Sequence, residues 1–445
     1  MNDNFLLYSE LARRLYGEVR GLPVIDYHNH IPLTDLRDGR RYENLTDLWI
    51  SADPYKHRLM RICGVPEEKI TGGASDYEKF RAWSHIFPSL MGTPVYDWSL
   101  MELWRVFSIE LFPSDDTADE IWSNANEQLK TLTIHTLLER FNVAYMSPVA
   151  SVLDDVSWYE SQPQYAPSLR GDDAASPNAD FAAKLAASSG LATGTFDEYL
   201  AALDSRLDAF VQAGCRFADH ALDDGFAYLH EDGRNDARYA NLLAGKQLDE
   251  HDQAALSCAV LRHLGREYGR RGLTMQLHMG ATRRTSSRLR ELVGAAGGYA
   301  AIGSVDVSGI VKLLDDIEQS GELPRTMLFT LNPAYNEALS ILSGSFSKDG
   351  EPAIVSQGPA WWWCDHKEGI RQVFDSLSAY SVLSTFIGMT TDSRSVLSFV
   401  RHDYFRRILC GWLADKVERG EFPDRPDDLA SIARKVCYEN ARNII

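Results

Sequence analysis

Short runs of apolar, β-branched and aromatic residues recur along the chain and alternate with longer segments whose apolar spacing permits helices. Eight runs are candidate strands: residues 22–28, 141–147, 166–170, 215–219, 273–278, 326–331, 353–357 and 384–389. Strands that alternate with helices form βαβ units and a parallel sheet, so the pattern predicts an α/β protein. Eight such units favour closure into a (β/α)8 barrel of the TIM type. An open, doubly wound sheet is the alternative, but no G-x-G-x-x-G sequence follows any of the runs.

Two amphipathic helices and one long helical stretch complete the pattern. A helix near the N-terminus carries its apolar positions on one face and ends at Gly21, and a similar helix near the C-terminus ends at Gly420. Residues 31–140 are too many for a loop between the first two strands, and their apolar spacing is helical. We therefore expect a single barrel domain over residues 1–445, with a helical insertion over residues 31–140 packed on it.

The first predicted strand ends in two histidines, in the sequence Val24-Ile25-Asp26-Tyr27-His28-Asn29-His30. Side chains two positions apart on a strand share a face, so His28 and His30 point the same way at the strand end. Two converging imidazoles supply half of a site for a divalent metal ion. A chance pair of surface or core histidines is the alternative interpretation.

Further polar residues follow the later strands, at the barrel end that carries catalysis in this fold. His278 closes the fifth strand, the tryptophans 361–363 follow the seventh, and Asp392 and Arg394 follow the eighth. Each has a simpler interpretation: a core histidine, a packed or intersubunit tryptophan cluster, and a structural ion pair or helix cap. Their shared position at one rim favours a functional site, in which the two histidines of the first strand, His278 and Asp392 suit zinc or another divalent ion.

Charge and composition narrow the partners. A formal net charge of −18 argues against nucleic acid or an anionic membrane surface as a partner, and an anionic substrate would need arginines at its own site. No apolar run is long enough to span a bilayer, and the N-terminus lacks the regions of a signal peptide, so we expect a cytoplasmic protein. The six scattered cysteines include no C-x-x-C pair, which argues against a disulfide framework or a thiolate zinc site.

The chain resembles the uronate isomerases (glucuronate isomerases) of the amidohydrolase superfamily over nearly its whole length. The motifs that carry the resemblance lie at residues 5–7, 25–30, 276–281, 331–333, 361–363, 388–395 and 401–410. The resemblance implies a distorted (β/α)8 barrel with a helical insertion after the first strand. It also implies an aldose–ketose isomerase that interconverts D-glucuronate with D-fructuronate and D-galacturonate with D-tagaturonate, by proton transfer through a cis-enediol.

The resemblance further implies roles for individual residues. The implied metal ligands are His28, His30, Asp392 and His278, and the implied catalytic residues are Asp392, Tyr55 and Arg394. The implied substrate contacts are Arg170, Arg394, Trp362, Tyr55 and His278. The expected cofactor is a divalent metal ion, namely zinc, which activity does not strictly require. The expected partners are a small hexuronate and further copies of the same chain.

The chain departs from the family pattern at four places, and these differences bear on which substrate it prefers. Pro54 stands where a histidine usually precedes the tyrosine, and His57 stands in place of a tryptophan. Gly171 replaces the proline of an Arg-Pro-Asp sequence, and residues 147–151 replace a T-T-D-D-P-type run. Two other functions remain open on the sequence: a metal-dependent hydrolase of lactones or amides on the same barrel, and a sugar-acid binding protein without catalysis.

Overall fold

The computed structural model describes residues 3–294 and 297–445. Its strands form one large sheet and one small antiparallel pair. The strands are β1 (Val24–Asn29), β2 (Val143–Ser151), β3 (Ser168–Arg170), β4 (Phe217–Leu222), β5 (Thr274–Met279), β6 (Ala281–Thr282), β7 (Ala301–Ile302), β8 (Thr326–Thr330) and β9 (Val355–Gln357). The large sheet has the order β1-β2-β3-β4-β5-β8-β9, and all its pairs are parallel. The antiparallel pair β6-β7 stands apart from it.

Helices follow and cover these strands along the chain. They are α1 (Glu10–Val19), α2 (Leu33–Asp38), α3 (Leu45–Trp49), α4 (Pro54–Ile62), α5 (Asp76–Ile86), α6 (Pro94–Phe107), α7 (Ala118–Leu129), α8 (Ile134–Arg140), α9 (Ala179–Ser189), α10 (Phe196–Gln212), α11 (Asn235–Leu243), α12 (Glu250–Arg270), α13 (Ser287–Val293), α14 (Val307–Glu318), α15 (Asn336–Ile341), α16 (Lys367–Tyr380), α17 (Val400–Glu418), α18 (Pro426–Arg434) and α19 (Asn440–Arg442). The predicted α/β class and distorted barrel are confirmed.

The chain returns to β1 through residues 388–393, although no strand forms there. The Asp392 N–H donates to the carbonyl of His28 at 3.0 Å, and the His30 N–H donates to the carbonyl of Ser393 at 2.8 Å. The Tyr27 phenol donates to the Gly388 carbonyl at 2.8 Å. These bonds bring the last polar motif of the chain against the histidines of the first strand.

Seven of the eight predicted strands coincide with strands of the sheet, with ends that differ by up to four residues. The eighth, residues 384–389, was wrong as a strand: Leu383–Thr385 is a short 3-10 helix, and no strand follows it in that segment. Side-chain hydroxyls take over the pairing, since the Thr390 hydroxyl and the His28 main chain bond each other at 2.7 and 2.9 Å. Apolar spacing alone does not distinguish such a segment from a strand.

Helices α2 to α8 occupy the chain between β1 and β2. Capping residues begin several of them; in α4 the Asp53 carboxylate accepts the Tyr55 N–H at 2.9 Å, with Pro54 at the first helical position. The division into one barrel domain and an insertion over residues 31–140 stays a prediction. Among the described residues, no helix is both long and apolar enough to cross a membrane.

Helix α17 runs through the interior and packs against α1, α6, α16 and α18. From Val400 to Ala414 every residue except the half-buried Asp403 is buried, and the buried positions include Arg401, His402, Arg406 and Arg407. Buried charged groups need partners, because desolvation is costly. This one helix therefore fixes polar side chains at both ends of the barrel.

Candidate active site

One cavity of about 630 Å³ lies at the C-terminal ends of the strands and gathers every residue that the sequence proposed for the site. Its lining includes His28, His30, Tyr55, Arg170, His278, Trp362, Asp392 and Arg394. The volume lies within the range of small-molecule sites. The distances within this lining show which of these side chains act on one another.

Asp392 lies at the centre of a hydrogen-bonded cluster. Its Oδ1 atom is 3.3 Å from Nε2 of His28 and 3.0 Å from Nε2 of His30. The Trp361 indole N–H donates to its Oδ2 atom at 2.5 Å. Asp392 has a φ of 46°, in the left-handed region that non-glycine residues rarely adopt. The surrounding bonds therefore hold the carboxylate in a conformation that is intrinsically disfavoured.

Charge is divided unequally within this cluster. Burial raises the pKa of the Asp392 carboxyl, but the hydrogen bonds from His28 and His30 outweigh burial and hold the pKa well below its ordinary value. Burial lowers the pKa of His30, and lowers that of His278 much further. For His28, burial lowers the pKa, but Asp392 and Asp219 together raise it above the ordinary value. Asp392 is therefore ionised at neutral pH, and His30 and His278 are neutral.

A buried carboxylate beneath the cluster fixes the segment that carries Asp392. Asp26 accepts the Thr391 N–H at 2.6 Å, the Thr391 hydroxyl at 2.8 Å and the Thr390 hydroxyl at 3.0 Å. Nε2 of His402, from α17, lies 3.1 Å from the same carboxylate. From the other side, the Arg401 guanidinium donates to the Thr391 carbonyl and to Asp365. These buried bonds set the position of Asp392.

A second group of possible ligands adjoins the first. His28, Asp219 and His278 are all buried, and their donor atoms lie within 4.8 Å of one another. His28 Nδ1, Asp219 Oδ1 and His278 Nε2 have no hydrogen-bond partner among the described residues. Burial raises the pKa of Asp219 to about 6. Orphaned buried polar atoms of this kind call for a further ligand, ion or water.

The donor set fits a divalent metal ion. Bonds of about 2.0–2.2 Å in a tetrahedral site separate ligand atoms by roughly 3.3 Å. The two histidine–Asp392 distances of 3.3 and 3.0 Å match that spacing. His278 joins His28 in the adjoining group, with ring centres 4.8 Å apart, and is not grouped with His30 and Asp392. The structure thus brings three of the four predicted ligands into one group and leaves His278 beside it.

Tyr55 lines the cavity from the first turn of α4, with its ring packed edge-on against Trp98 and Trp363. Its buried hydroxyl has no hydrogen bond of ordinary geometry with the described residues, although the Arg401 guanidinium lies 5.5 Å from the ring centre. Burial raises the pKa of the phenol far above its ordinary value. The hydroxyl is therefore neutral and free to donate to a ligand.

Comparison with known proteins identifies the family of this barrel. The model of the glucuronate isomerase family matches residues 1–445. The chain belongs to the glucuronate isomerase family. A uronate isomerase from Salmonella arizonae is 37% identical over an alignment of 461 residues, gaps included, which covers 100% of this chain and 98% of that protein. A uronate isomerase structure from Thermotoga maritima has a TM-score of 0.93 and 28% identity, covering 100% of this chain and 99% of that one.

A third relative supports the fold alone, because its sequence is more distant. The glucuronate isomerase structure from Caulobacter crescentus has a TM-score of 0.90 at 22% identity, covering 100% of this chain and 96% of that one. Membership of the family confirms that the chain is an isomerase of hexuronates. Nothing in these likenesses favours the hydrolase or the non-catalytic binding protein.

The two predicted substrate arginines differ in their surroundings. Arg170 is held by Asp172, at 2.8 Å from both Nε and Nη2, so its charge has a partner within the protein. Arg394 is exposed at the rim and forms no hydrogen bond or ion pair with the described residues. Arg394 therefore has the freer guanidinium of the two.

Sequence reasoning assigned no role to several residues of the lining, among them Asp219, Arg283 and Arg284, and it named Trp361 only as part of the tryptophan run. Asp219 ends a predicted strand, so the strand-end rule that selected His278 would have found it. Arg283 follows His278 by five positions, bonds Asp223 at 3.0 Å and lies over the Trp362 ring. No sequence pattern distinguishes the role of Trp361 from that of its two neighbours.

Two of the family departures have a local structural setting. Pro54 occupies the first position of α4, where its missing N–H is of no consequence. Gly171 lies under the His220 ring: a Cβ atom added there would be 2.1 Å from Cε1 of that imidazole. The described arrangement therefore has no room for any side chain at position 171, and His220 fills the space instead.

Proposed function

We propose that this hexuronate isomerase converts D-glucuronate to D-fructuronate and D-galacturonate to D-tagaturonate by moving one proton between C2 and C1 through a cis-enediol. The observation that carries this proposal is the ionised, buried Asp392 carboxylate inside a cavity that also holds free arginines and a free phenol. The reaction needs a base at the carbon acid and donors where charge develops on oxygen. The cavity supplies both kinds of group.

Asp392 is the proposed base. Its carboxylate takes the proton from C2 of the open-chain aldose and returns it to C1 of the enediol, so the residue is regenerated in each turnover. The low pKa keeps Asp392 ionised but also limits its proton affinity. Polarisation of the substrate's oxygens must therefore provide part of the driving force for the proton transfer.

Tyr55 is the proposed proton carrier between the oxygens. The conversion moves a second proton, from the C2 hydroxyl to the oxygen on C1. A neutral phenol without a hydrogen bond of ordinary geometry to the described residues is able to donate to one oxygen while it accepts from the other. Its ring is packed between Trp98 and Trp363, in the lining of the cavity.

Arg394 is proposed to hold the distal carboxylate of the uronate, with Arg170 and His278 contacting the hydroxyls. A planar guanidinium bonds both oxygens of a carboxylate at once, which a lysine ammonium does not do. Arg394 has no carboxylate partner among the described residues, which supports its role as the primary clamp. The face of Trp362 offers an apolar surface for the sugar's C–H groups.

His28, His30 and Asp392 are the proposed ligands of a divalent metal ion, with zinc as the ion and His278 as a neighbouring donor. When bound, the ion acts as a Lewis acid that polarises substrate oxygens. The neutral state of His30 supports this assignment, because imidazole binds a metal only when unprotonated. Metal analysis by mass spectrometry tests it: the His30→Ala variant should lose the ion, whereas His85→Ala, at an exposed histidine, should retain it.

The compartment is proposed to be the cytoplasm, with further copies of the chain as its partners. The six cysteines are free, and four of them are buried. Unpaired thiols in this number suit a reducing compartment. Sedimentation of the purified protein measures the number of copies.

Incubation with each uronate in D₂O, followed by NMR, tests the reaction. Ketouronate formation supports the proposed activity. If the hydrogen taken from C2 arrives at C1 without being replaced by deuterium, a single base shielded from solvent transfers it. Asp392→Asn should abolish formation of the product, whereas Asp236→Asn, on the exposed face of α11, should not alter it. Absence of turnover of both uronates by metal-replete wild type would overturn the proposal.

A further inference from the structure

A second cavity, of about 570 Å³, lies at the opposite end of the barrel from the active site. Val24, the first residue of β1, and Asn142, which directly precedes β2, contribute to its lining. The cavity is therefore at the N-terminal ends of the strands, whereas His28 and Asp392 lie at the other ends. We name it the basal cavity. Its lining comes from α1, α6, α8 and α17 together with Val24 and Asn142. Its volume would hold a small metabolite.

The basal cavity is lined by six arginines, which are Arg13, Arg20, Arg105, Arg140, Arg406 and Arg407. Among the described residues of the lining, only Asp3 and Asp403 are carboxylates. The whole chain carries a formal charge of −18, so this concentration of positive charge opposes the field of the molecule. An excess of guanidinium groups at one cavity is typical of an anion site.

Three of the six guanidinium groups bond only neutral acceptors among the described residues. Arg13, Arg140 and Arg406 donate to main-chain carbonyl oxygens at 3.3, 2.6 and 2.8 Å. A carbonyl oxygen satisfies a donor and fixes its direction, but it carries no net charge. These contacts therefore hold the arginines in place and leave their positive charge uncompensated.

The remaining arginines share one carboxylate or have none. Arg105 and Arg407 both bond the Asp403 carboxylate, at 2.8 and 3.2 Å. The Arg20 guanidinium forms no hydrogen bond or ion pair with the described residues. Arg406 and Arg407 are 5% and 0% exposed, so water does little to stabilise their charge. Arg407 has the Asp403 carboxylate as a counter-charge, whereas Arg406 has none among the described residues. A buried positive charge of that kind is costly, and a bound anion would relieve the cost.

We propose that the basal cavity binds a phosphate-type dianion, either free phosphate or the phosphate monoester of a small metabolite. The planar forks of several arginines match the oxygens of a phosphoryl group. The cavity is larger than a phosphate ion, which leaves room for the organic part of an ester. This proposal concerns the end of the barrel away from Asp392, and it stands whether or not the proposed catalytic roles are correct.

Isothermal titration calorimetry with inorganic phosphate and with glucose 6-phosphate, at constant ionic strength, tests the proposal. Wild-type protein should bind with saturation. Arg20→Gln and Arg13→Gln should each weaken binding about tenfold, because each removes a charge-assisted contact. Arg14→Gln is the matched control: Arg14 is exposed on the same helix and lines neither cavity. It should bind as wild type does.

The active site also contains arginines, so the phosphate titration is repeated in a variant that lacks two of them. In the Arg284→Gln, Arg394→Gln double variant, phosphate binding should persist with its dependence on Arg20. Tighter binding of the ester identifies an ester site, and equal binding identifies free phosphate as the ligand. Three results would each overturn the proposal: no saturable binding, equal weakening by Arg14→Gln, or loss of all binding in the double variant.

Discussion

Tyr55 has a buried hydroxyl without a hydrogen bond of ordinary geometry to the described residues, which is unusual because an unsatisfied buried polar group costs about 1–3 kcal/mol. Stability alone therefore favours phenylalanine at this position, whereas the proposed transfer between the oxygens requires the hydroxyl. We predict that Tyr55→Phe lowers kcat about 100-fold, the usual contribution of a positioned acid–base group. Its midpoint of thermal unfolding should stay equal to that of wild type or rise.

Tyr145→Phe is the control for this change, since it removes the hydroxyl of a buried tyrosine that does not line the active-site cavity. It should leave kcat unchanged. Steady-state kinetics and differential scanning fluorimetry measure the two effects. An unaltered kcat in Tyr55→Phe would exclude the phenol from the chemistry.

Gly171 shows how one missing side chain shapes the site. The His220 ring occupies the space above it, and His220 Nε2 lies 2.9 Å from the buried Tyr268 hydroxyl. We predict that Gly171→Ala lowers the free energy of unfolding by about 1–3 kcal/mol, the usual cost of overpacking. It should also reduce turnover, because Arg170 and Asp172 flank the displaced backbone.

Urea denaturation and steady-state kinetics measure these changes, with Gly17→Ala as the matched control. Gly17 lies within α1, and a Cβ atom there meets nothing within 4 Å. Alanine is favoured over glycine inside a helix by roughly 0.5–1 kcal/mol, so this variant should be as stable as wild type or more stable. Equal stability of both variants would show that His220 moves aside without cost.

At the scale of elements, apolar spacing predicted β1 and β5 to within two residues, because both are continuous, fully buried runs. Residues 384–389 are predicted as a strand, yet the bonds to β1 come mainly from the residues that follow: the Thr390 hydroxyl donates to the His28 carbonyl, and the Asp26 carboxylate accepts the Thr391 N–H. The sequence shows that these residues are polar. It does not show that their side chains form hydrogen bonds where a strand would form main-chain ones. Hydrophobic pattern predicts strands whose pairing is main chain to main chain, and fails where side chains do the pairing.

The candidate site follows the same division. His28, His30, His278 and Asp392 were selected because strand ends meet at one rim of a barrel. The Trp361 bond to Asp392 depends on the path of a loop with no regular structure, which periodicity does not describe. The basal arginines come from α1, from the residue that directly follows it, and from α6, α8 and α17, so only the packing of these helices brings them together.

Helix α6 carries a half-buried acid, Asp97, whose protonation makes the stability of the fold depend on pH. Burial raises the pKa of Asp97 to about 6, above the value of about 3.9 in an unfolded chain. The folded state thus binds the proton more tightly, and stability is lost as the pH rises through 4 to 6. We predict that Asp97→Asn is more stable than wild type by about 1 kcal/mol at pH 7.5, a value reduced for the partial exposure of the carboxyl. At pH 4 the two should be equal.

Urea denaturation at pH 4 and pH 7.5 measures this difference. Asp236→Asn is the control, because Asp236 also lies in the first turn of a helix but is exposed. It should be neutral or slightly destabilising at pH 7.5, since a carboxylate near a helix N-terminus is favourable. A greater stability of wild type than of Asp97→Asn at pH 7.5 would contradict the assigned cost of the buried charge.

At the scale of the whole molecule, an acidic chain concentrates arginines at the two ends of its barrel. The active-site cavity contains Arg170, Arg283, Arg284 and Arg394, and the basal cavity contains six others. Both lie in a molecule with a formal charge of −18. Any anion that reaches the basal cavity must therefore cross a repulsive field before it meets an excess of arginines, whereas in the active-site cavity the four arginines stand beside five aspartates.

This arrangement makes a prediction about salt. The Debye length falls from about 30 Å at 0.01 M salt to about 8 Å at 0.15 M, so added salt screens the long-range repulsion before it screens contacts inside a cavity. We predict that kcat/KM for a hexuronate rises about twofold between 10 and 150 mM NaCl, through KM and not through kcat. Sucrose at matched osmolality is the control and should have no such effect. A steady fall of kcat/KM over this range would mean that the attraction of the arginines extends beyond the cavity and outweighs the charge of the whole chain.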